Sequence, residues 1–147
     1  MDKDNTQKEL YFIAVKVFLE KDGKLLILKD SFGHWDLPGG RIKKDEFDSP
    51  LEDVVRRKMY EELGAKAKVK FNDPTIFMRH KREEVVGDSK QAKIFALGYV
   101  ATLESGEIEL SPSHTDMLWV DIRTFKPEEY FTGGWLAGVK KYLDLKK

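Results

Sequence analysis

Leu51, Val55, Met59 and Leu63 recur at four-residue steps between Ser49-Pro50 and Gly64, and no other feature restricts the fold as much. Side chains spaced this way share one helical face, and an apolar face of that length must be buried against another layer. Ser49 is placed to cap the helix, Pro50 to occupy its first position and Glu52 to close a capping box. Gly64 supplies the left-handed residue on which a helix ends. The pattern predicts a helix over residues 50–63. Around it the chain reads as strands. Leu10–Leu19 and Lys24–Leu28 flank the turn signal Lys21-Asp22-Gly23 and form an expected hairpin. Ser31–Gly40, with its glycines and proline, is a loop. Further strands are expected over Lys66–Phe71, Thr75–Arg82 and Ala92–Leu103, with Gly87-Asp88-Ser89 between the last two. A shorter strand carries Leu118-Trp119-Val120, and Trp135–Leu145 reads as a closing helix. The expected class is α/β in the α+β sense, a mixed sheet between helices.

The length of 147 residues suits one domain, residues 9–147, behind a flexible tail at Met1–Lys8. Lys plus Arg and Asp plus Glu both number 26, so the formal net charge is zero. That balance argues against nucleic acid or an anionic membrane as the main partner, since both select a basic excess. With no cysteine, disulfides, thiolate nucleophiles and Cys-ligated metals are excluded. The start is polar, without the apolar segment of a signal peptide, and no apolar run approaches the roughly 20 residues of a membrane span. A cytoplasmic protein, monomer or homodimer, acting on a small molecule is the expectation.

The charged residues of the helix carry the chemistry. Glu62 falls on the edge of the buried face beside Leu51, where a carboxylate is costly to desolvate without positive compensation. Glu61 projects to the other side, one turn after Arg57. Both glutamates stand near the helix C-terminus, where the macrodipole disfavours negative charge. Taken alone, the pattern reads as two ordinary salt bridges, Arg57–Glu61 and Lys58–Glu62. The preceding Trp35-Asp36-Leu37-Pro38-Gly39-Gly40 adds a double glycine, which alone is a tight turn but also lets backbone approach a ligand. Loop and helix together can hold Mg²⁺, which takes one or two carboxylates, waters and substrate phosphate.

These residues resemble the Nudix box, which reads Gly, five residues, Glu, seven residues, then Arg-Glu-apolar-x-Glu-Glu-x-Gly-apolar. Gly40 and Glu46 fit from the front; Arg57, Met59, Glu61, Glu62, Gly64 and Ala65 fit from the back. The resemblance implies an α/β/α sandwich with a mixed central β-sheet. It implies a hydrolase of nucleoside diphosphate derivatives using Mg²⁺, or Mn²⁺ in its place. Two departures stand out. Ten residues separate Glu46 from Arg57, and Lys58 replaces the glutamate after the arginine, where an ammonium can neither bind metal nor accept a proton.

The Gly39–Glu46 segment is similar to the GDP-mannose mannosyl hydrolase branch, which also lacks that glutamate. The branch places a histidine base five residues before a late tryptophan, as His114 stands before Trp119. Read on its own, His114 is a solvent-exposed loop residue; the resemblance makes it a candidate base, since histidine titrates in the required range. It further implies Gly40, Glu61 and Glu62 as metal ligands and Arg57 as orienting Glu46 or Glu61. Glu83, Glu84 or Asp88 could supply a replacement ligand in a conventional pyrophosphatase, and an inactive nucleotide-binding domain is the third reading. Arg79-His80-Lys81-Arg82 could meet phosphates, though strand alternation turns half of them away. Phe32, His34 and Trp35 could stack on a base or sugar.

Overall fold

The most continuous apolar runs, around Ala14–Leu19 and Leu25–Leu28, become the two strands buried on both faces. In the computed structural model, which describes residues 7–147, they are β1 (Phe12–Lys21) and β2 (Lys24–Asp30). The expected tail falls largely outside the described residues. Short strands β3 (Trp35–Asp36) and β4 (Gly39–Arg41) follow, then a 3-10 turn over Lys44–Glu46 and helix α1 (Leu51–Leu63). The chain continues through β5 (Lys68–Val86), β6 (Ser89–Ser105), β7 (His114–Asp121) and helix α2 (Gly133–Leu145).

The strands form one mixed sheet in the order β3-β2-β1-β6-β5, with β4 also paired to β1 and β7 to β2. β1 runs parallel to β6 and antiparallel to the others it meets. Its two ends have different partners. The Glu20–Lys21 end pairs with β2, whereas Ala14–Lys16 pairs with Gly39–Arg41 of β4. β2 leaves β1 to pair along its length with β7. The sheet therefore forks, and the double-glycine loop lies in the fork.

Each face is covered by one helix. Val15, Val17, Leu19, Leu26 and Leu28 pack with Val54, Val55, Met59 and Leu63 of α1. Ala14, Phe18, Leu25 and Ile27 pack with Ile76, Met78 and, from α2, Val139 and Tyr142. The expected α/β/α arrangement is present. Burying each large aliphatic side chain here stabilises the fold by about 1.5–3 kcal/mol. Along β1 the alternation puts Lys16 in the same row as Ala14 and Phe18, only 5% exposed.

Four local expectations need correction. Ser31–Gly40, expected as a loop, carries β3 and the first two residues of β4, because the double glycine pairs with β1. Ser49 makes no capping bond: Pro50 has ψ 140, so it stands before the helix, and its carbonyl accepts from Asp53 and Val54 N–H at 3.0 and 3.2 Å. Gly64 ends the helix at φ 89 and ψ 171, a positive φ but not the left-handed helical region. The two strands expected on either side of Pro74 are one, β5, with register shifts from Phe71 to Ile76. β5 is an edge strand, where a proline can lack a ladder donor and the strand continue past it.

Candidate active site

Helix α1 presents its charged residues to the loop lying in the fork. Arg57 Nε donates to Glu46 Oε2 at 2.7 Å, Nη2 bonds the same oxygen, and Nη1 donates to Glu61 Oε1. One guanidinium thus ties the 3-10 turn to the helix and bridges two carboxylates. Glu46, buried, also accepts the Lys43 N–H at 2.8 Å. That backbone donor, followed by Arg57, holds its carboxyl below the usual range.

Glu62 is oriented differently. Its Oε2 accepts the Gly39 N–H at 2.8 Å. Gly39 is held at φ 137, and a Cβ there would lie 2.0 Å from the Val15 carbonyl oxygen, so only glycine lets the loop lie this close to β1. Burial pushes the Glu62 carboxyl up to about 7, against the pull of the Gly39 N–H and Lys16. The Arg57–Glu61 pair forms, but Lys58 makes no ion pair among the described residues. Its half-buried ammonium instead stands against Gly40, 3.2 Å from where a Cβ would be. Burial lowers its pKa. Among the described residues, no three acidic or histidine side chains are grouped to share a metal ion.

A second set of groups meets on the α2 side. Lys16 Nζ donates to both oxygens of Asp36 at 3.0 and 2.9 Å and stands 5.1 Å from the centre of the Trp135 ring. His80 stacks on that indole at 4.4 Å and 19°. His114, first residue of β7 and opposite Asp30, bonds Ser111 Oγ through Nδ1 at 3.0 Å. The Lys16 and Asp36 charges act in opposite directions on Glu62, His80 and His114, in each case less than burial does. A cavity of about 510 Å³ opens beside Asp36, lined in part by Trp35, His80, Arg82, Glu83, Tyr130 and Trp135.

The Nudix-domain family model matches residues 10–137, most of the chain. The chain belongs to the Nudix hydrolase family. It is similar to nucleoside triphosphatase NudI of Escherichia fergusonii, 26% identical over 136 residues that span 87% of this chain and 91% of that one. The Nudix fold is shared with the MutT protein of Methanosarcina mazei Go1, at a TM-score of 0.69 and 22% identity, covering 95% and 96% of the two chains. An ADP-ribose pyrophosphatase from Streptococcus suis superposes with a TM-score of 0.65 at 13% identity, covering 94% and 93%.

Within this Nudix domain, Glu46, Arg57 and Glu61 are joined by hydrogen bonds, Glu62 reaches Gly39, and Gly40 is paired with Val15. His114 shares no hydrogen bond with them and stands at the start of β7, opposite Asp30 and bonded to Ser111. Asp116, two residues on, is opposite Lys29 and accepts the Met117 N–H; Ser111 makes the contact with the His114 ring. Glu84 is bound by Arg41 at 2.8 and 2.9 Å, Asp88 lies in the β5–β6 turn and Glu83 lines the cavity. Of the basic strand residues, His80 and Arg82 line the cavity, as alternation requires. Phe32 is exposed and Trp35 packs edge-on to Tyr130. Lys16, Asp36 and Trp135 were missed. The available signal was a lysine within an otherwise apolar strand, which must find an anion when buried.

Proposed function

We propose that this protein catalyses Mg²⁺-dependent hydrolysis of a nucleoside diphosphate linked to another group, with nucleotide sugars as the first candidates. The observation that carries the reading is Glu62: a half-buried carboxylate with a single hydrogen-bonding N–H, pushed up to about 7 by burial. Such a carboxylate is under-compensated, and a cation relieves it. The donor set suits one divalent ion arriving with substrate phosphates, since Lys58 already brings positive charge to Gly40. Glu61, Glu62 and the Gly40 carbonyl would hold it, with Arg57 fixing Glu61 and Glu46. The ion would supply Lewis acidity and stabilise the leaving diphosphate.

His114 is the proposed base. Burial keeps its pKa below the ordinary value, so the ring is neutral at working pH. When the Ser111 hydroxyl donates to Ser113, 2.8 Å away, Nδ1–H donates to Ser111 and Nε2 is left bare to take a proton from water. The resemblance of Gly39–Glu46 to the mannosyl hydrolase branch supports this assignment. A second reading, attack at phosphorus in a nucleoside triphosphate, is supported by the name of the NudI relative. A hydrolysis screen over nucleotide sugars, dinucleotides and nucleoside triphosphates with Mg²⁺ tests both. Free sugar plus nucleoside diphosphate is expected; sugar phosphate plus nucleoside monophosphate, or pyrophosphate from triphosphates, would select the second reading. No turnover of any of them would refute both.

A further inference from the structure

His80 has a proton position fixed by the backbone. The Gly134 N–H points at its Nδ1 from 3.1 Å, and an amide N–H only donates, so Nδ1 must be the acceptor. The neutral ring therefore carries its proton on Nε2. Charging the ring would set two N–H groups against each other across that contact. The contact itself is built by the glycine pair that opens α2. A Cβ on Gly134 would lie 1.8 Å from the Arg79 carbonyl oxygen, and one on Gly133, at φ 57, would lie 3.2 Å from the imidazole. Larger residues there would push the start of α2 off the strand. Trp135, next along the helix, then stacks on the ring and fixes its plane.

The other ring nitrogen is free. Among the described residues Nε2 has no hydrogen-bond partner, and Tyr142 Oη is the only sealed-off side-chain polar atom without one. Nε2–H is thus open to the cavity that His80 lines with Trp35, Arg82, Glu83 and Tyr130. Burial favours the neutral ring. Arg82 and Lys16 act in the same direction and Asp36 against it.

We propose that His80 is a fixed, uncharged donor for the part of the substrate that lies beyond the phosphates. Its Nε2–H bonds an oxygen acceptor, a base carbonyl or a sugar hydroxyl, seated in this cavity. The inference rests on the nucleotide reading of the site and adds a specificity-determining residue that none of the Nudix-box positions provides. A neutral donor suits that role, because it selects an uncharged acceptor and does not draw the phosphates out of their own site.

The test uses the full chain as wild type, His80→Phe and His80→Gln. Phenylalanine keeps a ring for Trp135 without a donor; glutamine keeps both an acceptor for Gly134 and a donor. Calorimetric titrations with pyrophosphate, UDP, GDP, ADP and glucose 1-phosphate are run with Mg²⁺ present, and the ring tautomer is read by ¹⁵N–¹H correlation. The wild-type ring should carry its proton on Nε2. His80→Phe should bind at least one carbon-containing ligand about 3- to 10-fold more weakly, the range of one neutral hydrogen bond, with pyrophosphate unchanged. His80→Gln should recover most of that loss. A loss for UDP and GDP but not ADP assigns the acceptor to a base carbonyl; a loss shared by all three, or by glucose 1-phosphate, assigns it to a sugar hydroxyl. A proton on Nδ1, an equal loss for pyrophosphate, or no loss for any ligand overturns the proposal. If pyrophosphate fails to bind the wild type, the nucleotide reading falls with it; if pyrophosphate binds and only His80→Phe is silent, the role of His80 alone is removed.

Discussion

The two sides of the sheet approach Lys16 and Asp36 with opposite electrostatics. On the α1 side, one loop and one helix bring Glu46 and Glu61 onto a single arginine and Glu62 onto the Gly39 N–H, and Glu62 remains under-compensated. On the α2 side, four separate elements contribute Lys16, Asp36, His80 and Trp135, and there the charges are paired and the histidine neutral. The first arrangement leaves a carboxylate poorly compensated, the feature that the proposed metal would use. The second is a packed frame that holds its groups still. Substitutions of Arg57 on the first side and of the Lys16–Asp36 pair on the second should therefore weight loss of activity and loss of stability differently.

The largest effect is expected at His114. Its replacement by alanine should lower turnover by about 10²–10⁴-fold, the range of a lost general base, with substrate binding nearly intact. Steady-state kinetics on the best substrate checks this, and an unchanged rate would move the base elsewhere. Next is Lys16→Met, which strands the Asp36 carboxylate. Breaking a buried pair costs about 3–5 kcal/mol, and about 2–3 is expected here because a third of the Asp36 side chain stays in water. Urea unfolding measures it, and adding Asp36→Leu should recover part of the loss. Arg57→Gln adds a loss of activity: about 2 kcal/mol in stability, because buried Glu46 loses its guanidinium while keeping the Lys43 N–H, and about 10–100-fold in turnover through the freed Glu46 and Glu61. Equal profiles for Lys16 and Arg57 variants would erase the distinction between the two sides.

The smallest effect is in the pH dependence of stability, where the two sides should act with opposite sign. Glu62 is raised in the fold from 4.5 to about 7, so its contribution is fully present below 4.5 and lost as pH rises through about 7. His80 is lowered from 6.5, so its contribution is present above 6.5 and lost as pH falls through its depressed value. Unfolding curves from pH 4.5 to 8 should show Glu62→Gln removing the alkaline loss and His80→Gln part of the acid loss. Parallel pH profiles for wild type and both variants would contradict this.

The α1 side was legible because its residues are neighbours in sequence and their spacing is set by one loop and one helical period. The same reasoning found the helix to within a residue and the mixed sheet between two helices. It misread Ser49 because Pro50 keeps an extended ψ and moves the first turn along by one. It split β5 because the tolerance of Pro74 depends on the strand lying at the sheet's edge, which is a tertiary fact. Lys16 was visible as an anomaly in an apolar strand, but its partner Asp36 is twenty residues away and Trp135 farther still. His80 looked like one basic residue among four; the Gly134 contact that fixes its proton exists only once α2 is docked on β5.

The central claim is that Glu62 is held under-compensated so that a divalent cation can complete it. Calorimetric titration of wild type and Glu62→Gln with Mg²⁺ at pH 7.5, in the presence of pyrophosphate, tests that claim most directly. Circular dichroism should first show the same fold for both. The wild type should then bind Mg²⁺ with measurable heat and Glu62→Gln should bind at least about 10-fold more weakly, as expected on losing a charged ligand. Equal Mg²⁺ affinities in the two proteins would contradict the account.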